Sequence, residues 1–172
     1  MKMKLSLFIL LLSLTGLGLS FVPYRYTVAF YDVKNNELIA FMAINREQFF
    51  SIQYTHSIHL SLVEERYELT DNLEIRQIQL MYEDFGIGMP SDAQDNEVFV
   101  QEEGKYYIKN MNRVFPEIVL RVGKVAANHK VVLGNTAVPM ASFSEPGSVL
   151  KIKPSKLNTW EQWKGVNVFD GF

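Results

Sequence analysis

His56 and Glu65 each break an otherwise regular pattern, and chemistry is to be sought at the breaks. From Phe50 onward the even positions Phe50, Ile52, Tyr54, Ile58, Leu60 and Leu62 are apolar, while Ser51, Gln53, Thr55, Ser57, His59 and Ser61 between them are polar. Such alternation marks a strand with one buried face, and His56 falls on the apolar side. In the next run Val63, Tyr67 and Leu69 are the apolar set and Glu64, Arg66 and Glu68 the polar one, with Glu65 falling among the apolar residues. A tight turn at Leu60-Ser61 folds the two runs back with Ile58 opposite Val63, His56 opposite Glu65 and Tyr54 opposite Tyr67. A slip of one residue would carry every side chain to the wrong face. The pattern therefore predicts that His56 and Glu65 are cross-strand neighbours, with Cβ atoms about 5 Å apart. A carboxylate is costly to bury alone, and an imidazole opposite it relieves that cost. Such a pair either fixes the register, with a tyrosine hydroxyl completing it, or forms a site that binds a ligand or moves a proton.

Other candidates are weaker. His56 and His59 are three apart, a spacing that on a strand puts them on opposite faces and argues against shared metal ligation. His129, between Asn128 and Lys130, reads as an exposed loop residue. The run Asp84-Phe85-Gly86-Ile87-Gly88-Met89-Pro90-Ser91 lacks the Lys-Ser/Thr ending of a phosphate loop. Gly86 and Gly88 permit a tight bend and Pro90 stiffens its exit, which suits a ligand or partner surface. Asp92, Asp95, Asn96 and Glu97 match no calcium loop and read as a solvated acidic loop. The chain has no cysteine, so thiolate metal sites and thiol nucleophiles are excluded. No Gly-x-Ser-x-Gly elbow is present, and Ser57 beside His56 faces the other way. No metal and no cofactor is expected, and no residue is assigned a catalytic role.

The elements that must position these residues are mostly strands. Period-two alternation, broken by Gly, Pro, Asn or Asp, predicts strands at Tyr26–Tyr31, Glu37–Ala43, Gln48–Ile58, Leu62–Leu69, Leu73–Tyr82, Val98–Gln101, Tyr106–Lys109, Glu117–Val122, Lys130–Leu133 and Val149–Lys153. That is an all-β domain, a single antiparallel sandwich or barrel-like unit of about 8–10 strands, over residues 23–172. A short helix over Thr159 to Lys164 is capped by Asn158 and ended by Gly165. Its Trp160 and Trp163 share one face and are expected to lie as a lid on the core. Residues 1–22 differ in kind. Lys2 and Lys4 precede an uncharged apolar run from Leu5 to Val22, the layout of a secretory signal peptide or a membrane anchor helix. With the lysines held inside, the domain is expected to be exported, either held at the extracytoplasmic face of the cytoplasmic membrane or secreted. Without those two lysines the chain carries 15 basic against 19 acidic side chains, interspersed, and no stripe suited to nucleic acid.

The segments Tyr54-Thr55-His56-Ser57-Ile58, Val63-Glu64-Glu65-Arg66-Tyr67 and Phe85-Gly86-Ile87-Gly88-Met89-Pro90 together resemble a bacterial family, the domain of unknown function 1850. Weaker similarity runs through Ile118–Val122, His129–Gly134 and Gly147–Ile152. Where members commonly have Thr-Pro before Val-Glu-Glu, this chain has Ser61-Leu62. The resemblance implies an association with membrane subunits of tripartite ATP-independent periplasmic transporters of the TAXI type, and it carries over no catalytic residue. The expectation is an accessory binding module whose contact or ligand residues are drawn from His56, Glu65, Tyr54, Tyr67, Gly86, Gly88 and Pro90. Its rivals are an extracytoplasmic hydrolase using His56 and Glu65 as base and orienter, and a small-ligand carrier with a cavity inside the sheet.

Overall fold

The structure, a computed structural model, describes residues 2–45, 47–84, 88–124 and 127–170. Helix α1 (Lys2–Leu19) leads into strand β1 (Arg25–Asp32), and β2 (Leu38–Ala43), β3 (Phe50–Thr55), β4 (Leu62–Leu69) and β5 (Ile75–Tyr82) follow. After a long loop come β6 (Val98–Glu102), β7 (Lys105–Phe115), β8 (Ile118–Arg121), β9 (Lys130–Leu133) and β10 (Thr136–Pro139). A 3-10 turn at Met140–Ser142 precedes β11 (Val149–Leu157), α2 (Thr159–Lys164) and β12 (Val166–Asn167). The strands form a five-stranded sheet, β12-β2-β1-β11-β8, and a seven-stranded sheet, β10-β9-β3-β4-β5-β7-β6. All pairings are antiparallel except that of β12 with β2. The fold is a β-sandwich with more strands than the alternation alone marks.

The main core lies between the sheets. Val28, Phe30, Ala40, Met42, Leu150 and Ile152 of the smaller sheet meet Phe50, Ile52, Tyr67, Leu69, Ile75 and Val131 of the larger. Strand β1 is central in its sheet and buried on both faces: Thr27, Val28, Ala29 and Phe30 are all fully covered. Its second face packs Ala29 with Phe41 and Leu157, beside Leu38. Gly165 follows α2 at a point where a Cβ would stand 3.0 Å from Leu38 and 3.2 Å from Phe41, so a larger residue there would require those side chains to shift. Pro154 lies opposite Val28 on β11, beyond Ile152 where the pairing with β8 stops, so its missing N–H breaks no ladder on that side.

The larger sheet extends past the smaller one. Its overhanging part carries a second cluster, Val63, Leu80, Tyr82, Ile108 and Met111, with Tyr54, Met89, Phe99 and Tyr106 packed against it. Of the segment before β6, Met89 packs against it and Pro90 is tied down where the Tyr82 hydroxyl donates to its carbonyl at 2.5 Å.

At the other end of the chain, α1 presents its apolar side chains outward: Leu5, Phe8, Leu12 and Leu19 are 61–69% exposed. Among the described residues no helix is long and apolar enough to cross a membrane. Asn158 caps α2 with a full capping box, its side chain accepting from the Glu161 N–H at 2.8 Å while Glu161 accepts from the Asn158 N–H at 2.9 Å. The tryptophans of α2 do not lie on the core. No residue of α2 is buried, and Trp160 and Trp163 are 44% and 76% exposed. The face of α2 that meets the sheet is held by the capping residues and Gly165, which leaves both indoles pointing outward.

Candidate functional site

The register of the β3–β4 hairpin decides the site. Phe50 stands opposite Tyr67, Ile52 opposite Glu65 and Tyr54 opposite Val63. Compared with the expected pairing, β3 is displaced by four residues along β4, and the proposed facing of His56 with Glu65 does not occur. The reason is the loop. The ladder ends at Thr55, and His56 to Ser61 form a wide turn instead of a tight one at Leu60-Ser61. The His56 N–H donates to the Ser61 carbonyl at 2.8 Å, the Leu60 N–H donates to the His56 carbonyl at 2.9 Å, and Leu60 adopts a left-handed φ of 56°. An even displacement keeps every side chain on its original face, so alternation could not tell the two registers apart.

His56 accordingly sits in the turn. Its ring stacks on His59 at 5.2 Å between centroids, and its Nδ1 lies 3.4 Å from the His59 N–H. The same loop lifts Ile58 and Leu60 into solvent, 63% and 69% exposed.

Glu65 points inward, and hydroxyls take the place of the expected imidazole. Alternation along β4 puts Tyr67 on the same face two residues on, and its hydroxyl donates to Glu65 Oε2 at 2.5 Å. Tyr54, on the neighbouring strand, also hydrogen-bonds Glu65. Burial, then the charge of Glu65 and that hydrogen bond, push the Tyr54 hydroxyl up to about 12 from 10.0. Tyr67 is raised further by the same causes, burial first. Phe50 stacks on Tyr67 at 5.3 Å and closes one side. The adjacent Glu64 takes the opposite face and accepts from Ser51 Oγ at 2.8 Å and Gln53 Nε2 at 2.7 Å.

The histidine of this cluster is His129, which the sequence pattern assigns to an exposed loop. It precedes β9, whose Val131 lies opposite Ile52, so the same alternation brings the His129 ring beside Tyr54, 5.5 Å between centroids. The Gly123 N–H donates to its Nδ1 at 3.1 Å, which places the proton of the neutral ring on Nε2. Burial lowers its pKa below 6.5. The alternating 129, 131, 133 positions contained the signal, but it becomes usable only once β9 is known to pair with β3.

Of the sequence candidates, the structure brings together Tyr54, Glu65 and Tyr67 and leaves out His56. Gly88, with φ of 92°, and Pro90 lie on the loop over the second cluster. Gly86 lies outside the described residues. Glu97 is not a solvated member of an acidic loop: its side chain is only 8% exposed and pairs with Arg113 at 3.0 and 3.1 Å. Clefts on the larger sheet open on its other face, lined by Phe49, Arg66, Glu68, Arg76 and Lys109. Glu68 pairs there with Arg76 and Lys109 with Glu102, while Arg66 lies over the Phe49 ring at 4.7 Å. A base-and-orienter dyad of His56 with Glu65 is not formed. Among the described residues no group of three or more His, Cys, Asp or Glu stands close enough to hold a metal ion.

The family model described as a domain of unknown function, DUF1850, matches residues 50–140, just over half of the chain. The match spans β3 to β10 and so contains Tyr54, Glu65, Tyr67 and His129. Neither a curated protein nor a solved structure matches the chain.

Proposed function

The chain belongs to the DUF1850 family, and on that premise we propose that it is an extracytoplasmic accessory module, held at the membrane by its N-terminal segment and binding the membrane subunit of a TAXI-type tripartite transporter through the β3–β4 loop. The observation that carries the reading is the display of Ile58 and Leu60 at the tip of that loop, more than 60% exposed and set on a left-handed residue. Large apolar side chains presented to water in a strained turn cost stability, and partner surfaces are where such costs recur. The Glu65 cluster beneath supports the hairpin instead of opening to solvent: its carboxylate is taken up by Tyr67, farther along β4, and by Tyr54, which stands next to the end of β3 where the turn begins. Export is supported by Lys2 and Lys4 ahead of the Leu5–Val22 run and by the outward-facing apolar side chains of α1.

Co-expression of the tagged chain with a TAXI-type membrane subunit, followed by detergent extraction and affinity purification, tests the proposal. The subunit is expected to co-purify with the wild-type chain and to be lost from I58S/L60S, with the variant's thermal midpoint unchanged or raised. Equal recovery with both chains would remove the loop from the interface, and no recovery with either would remove the transporter.

A further inference from the structure

We propose that Trp160 and Trp163 of α2, together with Phe21 and Tyr24, form an aromatic girdle that seats the domain in the headgroup region of the bilayer; this rests on the reading that the N-terminal segment lies in a membrane. The segment leaving α1 is stitched to α2. The Trp160 N–H donates to the Ser20 carbonyl at 3.4 Å, Asn158 Nδ2 donates to the Phe21 carbonyl at 3.3 Å, and Arg25 Nη1 donates to Gln162 Oε1 at 3.1 Å. The Phe21 ring lies 6.3 Å from Trp160, and Trp160 stacks on Trp163 at 5.3 Å. The tryptophans therefore stand where the apolar run ends, at the level the polar boundary of a membrane would occupy. Phe21, Val22 and Tyr24 share that level and are 51–58% exposed.

The composition of the patch matches that boundary. Indole and phenol rings prefer the interface because they combine an apolar body with a polar tip. Lys164 lies over the Trp160 ring at 5.2 Å, and Arg25 and Lys156 flank the same end of the sheet, supplying cations for phosphate headgroups. The one acid on α2, Glu161, is occupied by the Asn158 N–H within the capping box. A core lid would bury these rings, whereas Trp163 is 76% exposed. The consequence is orientational: α2 lies against the lipid surface, and the domain is held at a fixed pose above α1 instead of swinging on a linker.

The chain contains two tryptophans, so its indole emission reports this patch alone. The full chain is reconstituted into phosphatidylcholine–phosphatidylglycerol vesicles, floated on a density gradient, and examined by tryptophan fluorescence with lipids brominated near the headgroup or near the chain ends. The expected result is flotation, a shift of emission to shorter wavelength, and stronger quenching by the shallow bromines than by the deep ones. In single-tryptophan variants W160F and W163F, Trp163 is expected to be quenched more than Trp160. A chain that floats while neither bromine position quenches overturns the girdle alone, whether its emission stays at the water-exposed wavelength or shifts without quenching. A chain that does not float overturns both the girdle and the membrane placement beneath it.

Discussion

At the scale of single residues, the inner face of the larger sheet accommodates a carboxylate with hydroxyl donors, and this choice has consequences for pH. Tyr67→Phe removes the 2.5 Å donor while keeping the ring stacked on Phe50. Because it leaves Glu65 short of a partner, it is expected to cost about 1–3 kcal/mol in urea unfolding. Glu65→Gln retains an acceptor for the Tyr67 hydroxyl and is expected to cost less than Tyr67→Phe; the reverse order would show that the pairing rests on more than the acceptor oxygen. The two ends of the pH scale act through different groups. The fold raises Tyr54 from 10.0 to about 12 and raises Tyr67 as well, so it favours the neutral phenols. Their contribution is complete below the unfolded value near 10.0 and is lost as pH rises through the folded values. The fold lowers His129 below 6.5, so it favours the neutral imidazole. That contribution is complete above the unfolded value and is lost as pH falls through the folded one. Thermal midpoints measured from pH 4 to 11 should therefore fall at both ends, His129→Gln flattening the acid limb and Tyr67→Phe the alkaline limb. A variant that leaves its own limb unchanged would show that its group does not titrate with folding.

At the scale of elements, legibility depended on what each signal encodes. Strand β4 and strand β9 were legible to the residue, and so was α2 with its Asn158 cap and its Gly165 stop, because alternation and capping are local. The short β10 and β12 were not: the two residues of β12 leave no period to detect, and β10 is a sheet-edge strand ending in Pro139. Strand β7 runs on to Phe115 through Asn110, whose φ of 57° interrupts the pattern at an irregularity in the pairing with β5. The hairpin shows the boundary most sharply. Which side Glu65 faces was legible; which residue it meets was not, because the wide His56–Ser61 turn and a tight one obey the same parity. The turn also supports a prediction of its own. A leucine held in the left-handed region costs about 1–2 kcal/mol, against about 0.5–1 kcal/mol for the added chain entropy of a glycine. Leu60→Gly is therefore expected to leave stability unchanged or to raise it by up to about 1 kcal/mol in chemical denaturation, while weakening capture of the partner. A loss of more than about 1 kcal/mol would show that the Leu60 side chain packs in the fold and is not retained for display.

At the scale of the whole molecule, the two sheets are unequal, and that inequality divides the stability. The main core is sealed by both sheets, whereas the second cluster around Tyr82 and Ile108 is covered on the overhang by a loop. The loop is fastened at the Tyr82–Pro90 hydrogen bond and at the Glu97–Arg113 ion pair. Few strand pairings cross its path, since β6 pairs only with β7 at the sheet edge. A region covered by a loop has a lower local opening free energy than one enclosed between sheets. Amide hydrogen exchange should thus divide the strands into two classes, β1, β3 and β11 exchanging slowly and β6 exchanging faster. Arg113→Ala leaves Glu97, with 8% of its side chain exposed, without its guanidinium, while Arg113 itself is 38% exposed and partly screened. The expected cost is therefore at the lower end of the range for an unpaired buried charge, about 1–3 kcal/mol. That cost should fall mainly on the overhang, with protection lost in β6 and in the C-terminal half of β7 while β1 and β11 keep theirs. Uniform loss of protection across all strands would instead make the sandwich a single cooperative unit, with the loop acting as part of its core.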